Sequence, residues 1–126
     1  MKYSACVLVE RNGLFLGVSR KDNPNDFGLP GGKLDEDETL AECAKRECME
    51  ETGYSVSILD LNDPYVAVDG EYTVSTFRAI MRSCGRVKTN ASETGVVQWV
   101  TKEQLMNSYF GEYNTKMLKY FGYLKD

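Results

Sequence analysis

Between Thr39 and Gly53 the chain encodes a helix whose two ends are both marked and whose inward side is not apolar. Thr39 and Glu42 form a T-x-x-E capping box, and Gly53 suits the left-handed position that follows a helix C-terminus. At about 100° per residue, Leu40, Ala44, Glu47 and Glu51 fall within roughly 60° of one another, with Glu50 at the edge of the same half. A helix that turns Leu40 and Ala44 inward therefore turns carboxylates inward too. Side chains at this spacing have Cβ atoms about 5 to 6 Å apart, so at an effective dielectric near 20 each ionised pair repels by roughly 3 kcal/mol, and several-fold less in open water. Lys45 lies on the opposite side and Arg46 on the flank, which makes a divalent cation the simplest compensation. Oxygen donors with no thiol or imidazole beside them select Mg²⁺ or Mn²⁺ over zinc or copper. Taken alone, an E-x-x-E-E motif is more often the mark of a solvated acidic face.

The chain contains no histidine. Every Ser-His or Cys-His scheme is thereby excluded, as is a mixed Cys/His zinc site, and a general base must be a carboxylate, a lysine, a tyrosine or water acidified by a metal. The formal charge of -4 argues against a basic stripe that grips nucleic-acid phosphates, so no stable nucleic-acid complex is expected, whereas a small phosphate ligand stays compatible. Cys6, Cys43, Cys48 and Cys84 show no C-x-x-C spacing and are expected to be reduced and structural. At 126 residues one core suffices, so a single domain over 1–126 is expected. The longest early apolar run, Ala5 to Val9, is far short of a membrane span, and no signal-peptide pattern is present; the expectation is a cytoplasmic protein with no membrane partner.

Tyr3 to Glu10 and Leu14 to Ser19 are strand-like runs joined through Asn12-Gly13, the strongest short hairpin signal. Arg20 to Gly32 is so dense in turn formers that it predicts one long loop. Tyr54 to Leu61, Tyr65 to Asp69, Glu71 to Arg82 and Val96 to Val100 are expected strands, the second and third of them closed around Asp69-Gly70. A second capping box, Thr101 to Gln104, starts a brief helix, and a last amphipathic helix is predicted around Thr115 to Leu124. Irregular alternation of strands and helices predicts an α/β fold, a mixed sheet between helices.

Gly32 is followed at fixed spacing by Glu38, Arg46-Glu47, Glu50-Glu51 and Gly53. This resembles the Nudix box, G-x5-E-x7-R-E-U-x-E-E-x-G-U with U aliphatic, over Gly32 to Tyr54. Every fixed letter is present; Cys48 and Tyr54 stand at the U positions and still bury apolar surface. The resemblance implies a Nudix-type α/β/α sandwich with a mixed sheet and a loop-helix-loop site. It implies that Glu47, Glu50 and Glu51 bind Mg²⁺ (or Mn²⁺), with the carbonyl of Gly31 a further ligand, and that Glu38 and Arg46 form a structural ion pair. The implied reaction is attack of water on a phosphorus of a nucleoside diphosphate linked to another group. Glu51 is a candidate base. Some relatives supply that base from the loop before the tryptophan strand, where the residue directly before Trp99 is Gln98 and Glu93 is the available substitute.

Lys33 and, more weakly, Arg20 and Arg78 are candidate phosphate contacts; Phe27 and Tyr72 are candidate stacking rings, and Asn114 a candidate base reader. Each has a plainer account: a solvated lysine, Phe27 as a loop anchor, Tyr72 as strand packing, Asn114 as an N-cap. The MutT-like activity, a (deoxy)nucleoside triphosphate pyrophosphohydrolase giving a monophosphate and pyrophosphate, is the leading expectation. ADP-ribose, dinucleotide, dinucleoside polyphosphate or RNA-cap hydrolysis is the alternative within the enzymes, and a noncatalytic nucleotide-binding regulator the alternative outside them. The expected partner is a small nucleotide, and the chain a monomer or homodimer.

Overall fold

The computed structural model describes residues 2–82, 85–86 and 95–125. Strand β1 (Lys2–Arg11) runs through the middle of a mixed sheet. Alternation along it sends Ala5, Val7 and Val9 into one core and Leu8 into another on the opposite face, as the pleat requires. β1 turns through Asn12 and Gly13 into β2 (Leu14–Arg20), with Arg11 paired to Leu14. Both turn residues have positive φ, 53° and 81°, the two-residue hairpin geometry that Asn-Gly favours.

After β3 (Asn23–Gly28) and β4 (Gly31–Lys33) come α1 (Leu40–Thr52), β5 (Val56–Ile58), β6 (Tyr65–Asp69), β7 (Tyr72–Met81), β8 (Val97–Val100), α2 (Lys102–Met106) and α3 (Gly111–Tyr120). β7 lies parallel to β1 from Lys2↔Tyr72 to Val9↔Ala79. β5 and β6 both pair antiparallel with β7, while β4 takes the Ser4–Cys6 stretch of β1, and β3 and β8 flank β2. Helix α1 covers one face with Cys43, Ala44 and Cys48. Leu105 of α2 and Met117 and Leu118 of α3 cover the other. This is the α/β/α sandwich with a mixed sheet that the sequence predicts.

Both capping boxes are formed, and Gly53 closes α1 at φ 78°. Three expectations are corrected. The stretch from Arg20 to Gly32 is not one loop, because β3 pairs onto β2 and β4 onto β1. Local turn propensity loses there to tertiary pairing, and Pro24, which has no N–H to donate, is tolerated because β3 is the edge of the sheet. The strand expected over Tyr54 to Leu61 shrinks to Val56–Ile58. The last helix begins at Gly111 and ends at Tyr120, earlier than its apolar pattern suggests. Asn114 is therefore inside the helix rather than its cap. Among the described residues no helix is long and apolar enough to cross a membrane.

Candidate active site

Two glycines and one helix build the site. Gly31 and Gly32 of β4 face Cys6 and Ala5 of β1. A Cβ on Gly31 would overlap Cys6 Cβ and crowd the Ala5 carbonyl oxygen, and one on Gly32 would overlap the Glu47 carboxylate. Each is thus required by a close approach, Gly31 to the neighbouring strand and Gly32 to the helix.

The buried face of α1 is Cys43, Ala44, Cys48 and Thr52; Glu47 and Glu51 border it. Glu51 Oε1 accepts a hydrogen bond from Gly31 N–H at 2.9 Å. Burial pushes the Glu51 carboxyl up to about 8, with Glu47 and Glu50 adding to the rise and the Gly31 N–H opposing it. Burial raises Glu47 as well, against the pull of Arg46, and the Glu47 side chain is only 16% exposed. Glu50 is 55% exposed and accepts from Arg46 Nη1 at 3.1 Å. The three carboxylates thus belong to one side of α1, with Arg46 paired to Glu47 and Glu50.

Arg46 is the hub. Its Nε and Nη2 donate to the two oxygens of Glu38 at 3.0 and 2.8 Å, and Nη2 donates to the Lys33 carbonyl at 3.1 Å. Glu38 also accepts from Asp35 N–H at 2.9 Å. This is the loop-to-helix pair expected of Glu38 and Arg46, bidentate and largely shielded. The Arg46 guanidinium holds the Glu38 carboxyl down at about 2 against its ordinary 4.5. A depressed carboxylate contributes stability above about pH 4.5 that is lost as pH falls toward 2. Arg46→Lys, which keeps the charge and loses the fork, is expected to lower Tm by a few degrees at pH 7 and by less at pH 3. Circular dichroism melts at the two pH values check this; a gap of equal size at both would remove the assigned role.

The site fits a divalent cation by its chemistry. Its donors are all oxygen, and Glu47 and Glu51 are carboxyls that burial pushes upward, a cost that a divalent cation would offset. Among the described residues no three acidic or thiol groups already converge on a point that would hold a metal ion. Glu50 is engaged with Arg46 through both of its oxygens.

On the sheet face opposite α1 lies a cavity of about 170 Å³ lined by Cys6, Leu29, Gly31, Asp69, Val74, Phe110, Tyr113 and Asn114. Gly31 belongs to both places: its N–H holds Glu51 and its backbone lines the cavity. Asn114 is 3% exposed and lines this cavity. Tyr72 and Lys33 come together nearby: Lys33 Nζ is 6.0 Å and Lys2 Nζ 5.7 Å from the Tyr72 ring centroid. Both help to line a shallow groove beside β4.

Three other candidates lie elsewhere. Phe27 is 4% exposed in the core under α2 and α3. Arg78 pairs with Asp60 at 2.6 Å and lies over Phe121. Arg20 pairs with Asp22 and stacks on Tyr109 at 4.3 Å. Glu93 falls outside the described residues. Sequence reasoning missed Cys6, Asp69, Val74, Phe110 and Tyr113. Asp69 carried only a turn signal, and nothing local tells which strand alternation faces a cavity.

The family model described as the NUDIX domain matches residues 2–121. A "MutT-like protein" of Streptomyces ambofaciens is 32% identical over 114 residues, 90% of this chain and 72% of the relative. A "putative 8-oxo-dGTP diphosphatase" of Bacillus subtilis is 29% identical over 79% of this chain, which spans 65% of that relative's length. Among solved structures, an ADP-ribose pyrophosphatase of Streptococcus suis superposes with a TM-score of 0.70 at 20% identity, covering 94% of this chain and 87% of its own. At that identity the likeness concerns the fold alone.

Proposed function

Because the chain belongs to the NUDIX domain family, whose members hydrolyse pyrophosphate bonds, we propose that it is a divalent-cation-dependent nucleoside triphosphate pyrophosphohydrolase releasing a nucleoside monophosphate and pyrophosphate. One observation carries this reading: the carboxylates of α1 and an apolar cavity share Gly31. A substrate with its ring in the cavity would lay its phosphates past Gly31 toward Glu47, Glu50 and Glu51. The names of the Streptomyces and Bacillus relatives point the same way.

Glu47, Glu50 and Glu51, with the carbonyl of Gly31, would hold Mg²⁺ or Mn²⁺. When bound, such an ion neutralises charge on phosphate oxygens and makes water more acidic. Glu51 keeps its Oε1 on Gly31 N–H, which leaves Oε2 to take the proton of the attacking water. The new P–O bond forms as the bond to the pyrophosphate leaving group breaks. Arg46, tied to Glu38, restrains Glu50 and the end of β4; it is a positioning residue. Lys33 offers a point charge to a phosphate.

A second reading has one observation behind it. Tyr72, with the ammonium groups of Lys2 and Lys33 within 5.7 and 6.0 Å of its ring centroid, provides an aromatic and basic surface beside β4, which suits substrates with a second ring such as dinucleotides or ADP-ribose. A phosphorus NMR screen separates the two. Nucleoside triphosphates, the 8-oxo form among them, are expected to give monophosphate and pyrophosphate with Mg²⁺ or Mn²⁺ and nothing after chelation. Turnover confined to two-ringed substrates would shift the assignment to the second reading, and none with any nucleotide and either cation would reject both.

A further inference from the structure

The two ends of the sheet are finished differently. At one end, β3 carries Asn23, Pro24, Asn25 and Asp26, polar and proline residues of the kind that keep an edge from taking on a further strand. At the other, β5 has only three residues, and β6 reads Tyr-Val-Ala-Val-Asp and pairs, among the described residues, with β7 alone. Tyr65 and Ala67 pack inward against the core under α2 and α3; the alternate residues Val66 and Val68 are 51% and 72% exposed. An edge strand with an apolar outer face and no proline or lysine within it is open to pairing.

The backbone groups of β6 have a fixed direction. Asp69 and Tyr72 close a two-residue turn with Gly70 at φ 62°, and the residues that close such a turn bond to each other. Counting back along the ladder, Ala67 and Tyr65 also turn their N–H and C=O groups to β7, and Val66 and Val68 turn theirs outward. Pro64, next in the outward series, has no N–H to offer, so the usable edge runs from Val66 to Val68.

Helix α3 adds a charge pattern beside that edge. It runs antiparallel to β6: Tyr113, in its first turn, lines the cavity with Asp69, and Tyr120, in its last, donates to Asp63 at 2.5 Å. Glu112 and Lys116 line a groove together with Val68 and Asp69, and their exposed side chains pair with each other at 3.4 Å. The acids Asp69 and Glu112 thus lie at one end of the groove, and Lys116 one helical turn further along.

We infer that β6 is a self-pairing edge: a second copy of this chain adds its own β6 antiparallel to the first, about a two-fold axis at Ala67. In that register Val66 and Val68 of each copy stand opposite Val68 and Val66 of the other, so their outward N–H and C=O groups are all bonded and their side chains form cross-strand apolar pairs. A slip of one residue would set inward-bonded Ala67 against an outward-bonded valine, and a slip of two would bring Pro64 or Gly70 opposite a valine. The same rotation lays the two α3 helices antiparallel on one face of the joined sheet. The acid end of each groove, Asp69 and Glu112, then faces Lys116 of the other copy. The surface is self-complementary in backbone and in charge, as a two-fold contact must be. A strand of this length spans only about 17 Å, which puts the contact at the small end of specific interfaces, so the dimer is expected to form at micromolar concentration.

The pairing needs no nucleotide, so it stands or falls apart from the hydrolase reading. Sedimentation velocity on the whole chain, from about 1 to about 500 µM, is expected to show a monomer–dimer equilibrium and nothing larger. Amide hydrogen exchange by NMR reads the register: the Val66 and Val68 amides should slow by about tenfold or more across that range, while Ala67, bonded to β7 in either state, changes little. Val68→Lys, at an exposed position, should leave the melting temperature unchanged and raise the dimer Kd by about tenfold or more. Lys116→Glu sets acid against acid twice across the axis and should raise the Kd by about threefold or more; adding Glu112→Lys to the same chain should restore it to within about twofold of the parent. A monomer at every concentration, a dimer indifferent to Val68→Lys, an open series of larger species, or a charge exchange that fails to restore association would each overturn the inference.

Discussion

Replacing Glu51 with glutamine is expected to lower kcat by at least about a hundredfold while the fold persists. The change keeps an oxygen to accept from Gly31 N–H and removes both the negative charge and the group able to take a proton. Stability should move the other way. A carboxyl pushed up to about 8 from its ordinary 4.5 is protonated in the folded protein and ionised in the unfolded one across that interval, so native stability falls as pH rises through it. Glutamine has no such dependence. With chelator present, Glu51→Gln should match the parent near pH 4.5 and melt at higher temperature at pH 8. Near-normal turnover would remove Glu51 from its assigned role. Glu93→Gln then locates the base: a loss as large as that of Glu51→Gln places proton removal in the segment before Trp99, and an unchanged kcat leaves it with the carboxylates of α1.

The site was legible in the sequence where its residues lie close together along the chain. The capping box at Thr39, the stop at Gly53 and the carboxylate side of α1 all follow from local chemistry and helical periodicity, and the structure forms each. Arg46 shows where that reasoning stops. On a helical wheel it sits on the flank, yet it gathers Glu38, Glu50 and the Lys33 carbonyl because the chain before Thr39 folds back over α1. The cavity was harder to see. Its lining comes from β1, β4, β6, β7 and α3 together with Leu29 before β4 and Phe110 before α3, and no single window of sequence contains more than two of these elements. Asn114 was singled out by likeness to a family position and expected at the start of the last helix, whereas it lies inside that helix. The helix starts at Gly111 because Gly111, whose added Cβ would overlap the Met106 carbonyl oxygen, packs directly on the end of α2; that contact is invisible to a periodicity argument.

Alanine at the two glycines of β4 should separate fold from chemistry. At Gly31 the added methyl meets Cys6 Cβ and Cα and the Ala5 carbonyl oxygen, mostly atoms that cannot move without shifting β1. Overpacking of that kind costs about 1–3 kcal/mol or more, so Gly31→Ala is expected to lower Tm by several degrees and to loosen the β1–β4 pairing. At Gly32 the methyl meets the end of the Glu47 side chain, which can swing away at small cost. Gly32→Ala is therefore expected to melt within a few degrees of the parent yet lose about tenfold to a hundredfold in kcat, the usual consequence of displacing a group in the site by about 1 Å. Thermal melts and initial rates on both variants decide the matter. If Gly32→Ala retained full activity, Glu47 would have no part in the reaction. If Gly31→Ala melted like the parent, the tight seating of β4 on β1, which brings the Gly31 N–H to Glu51, would not be what holds the site together.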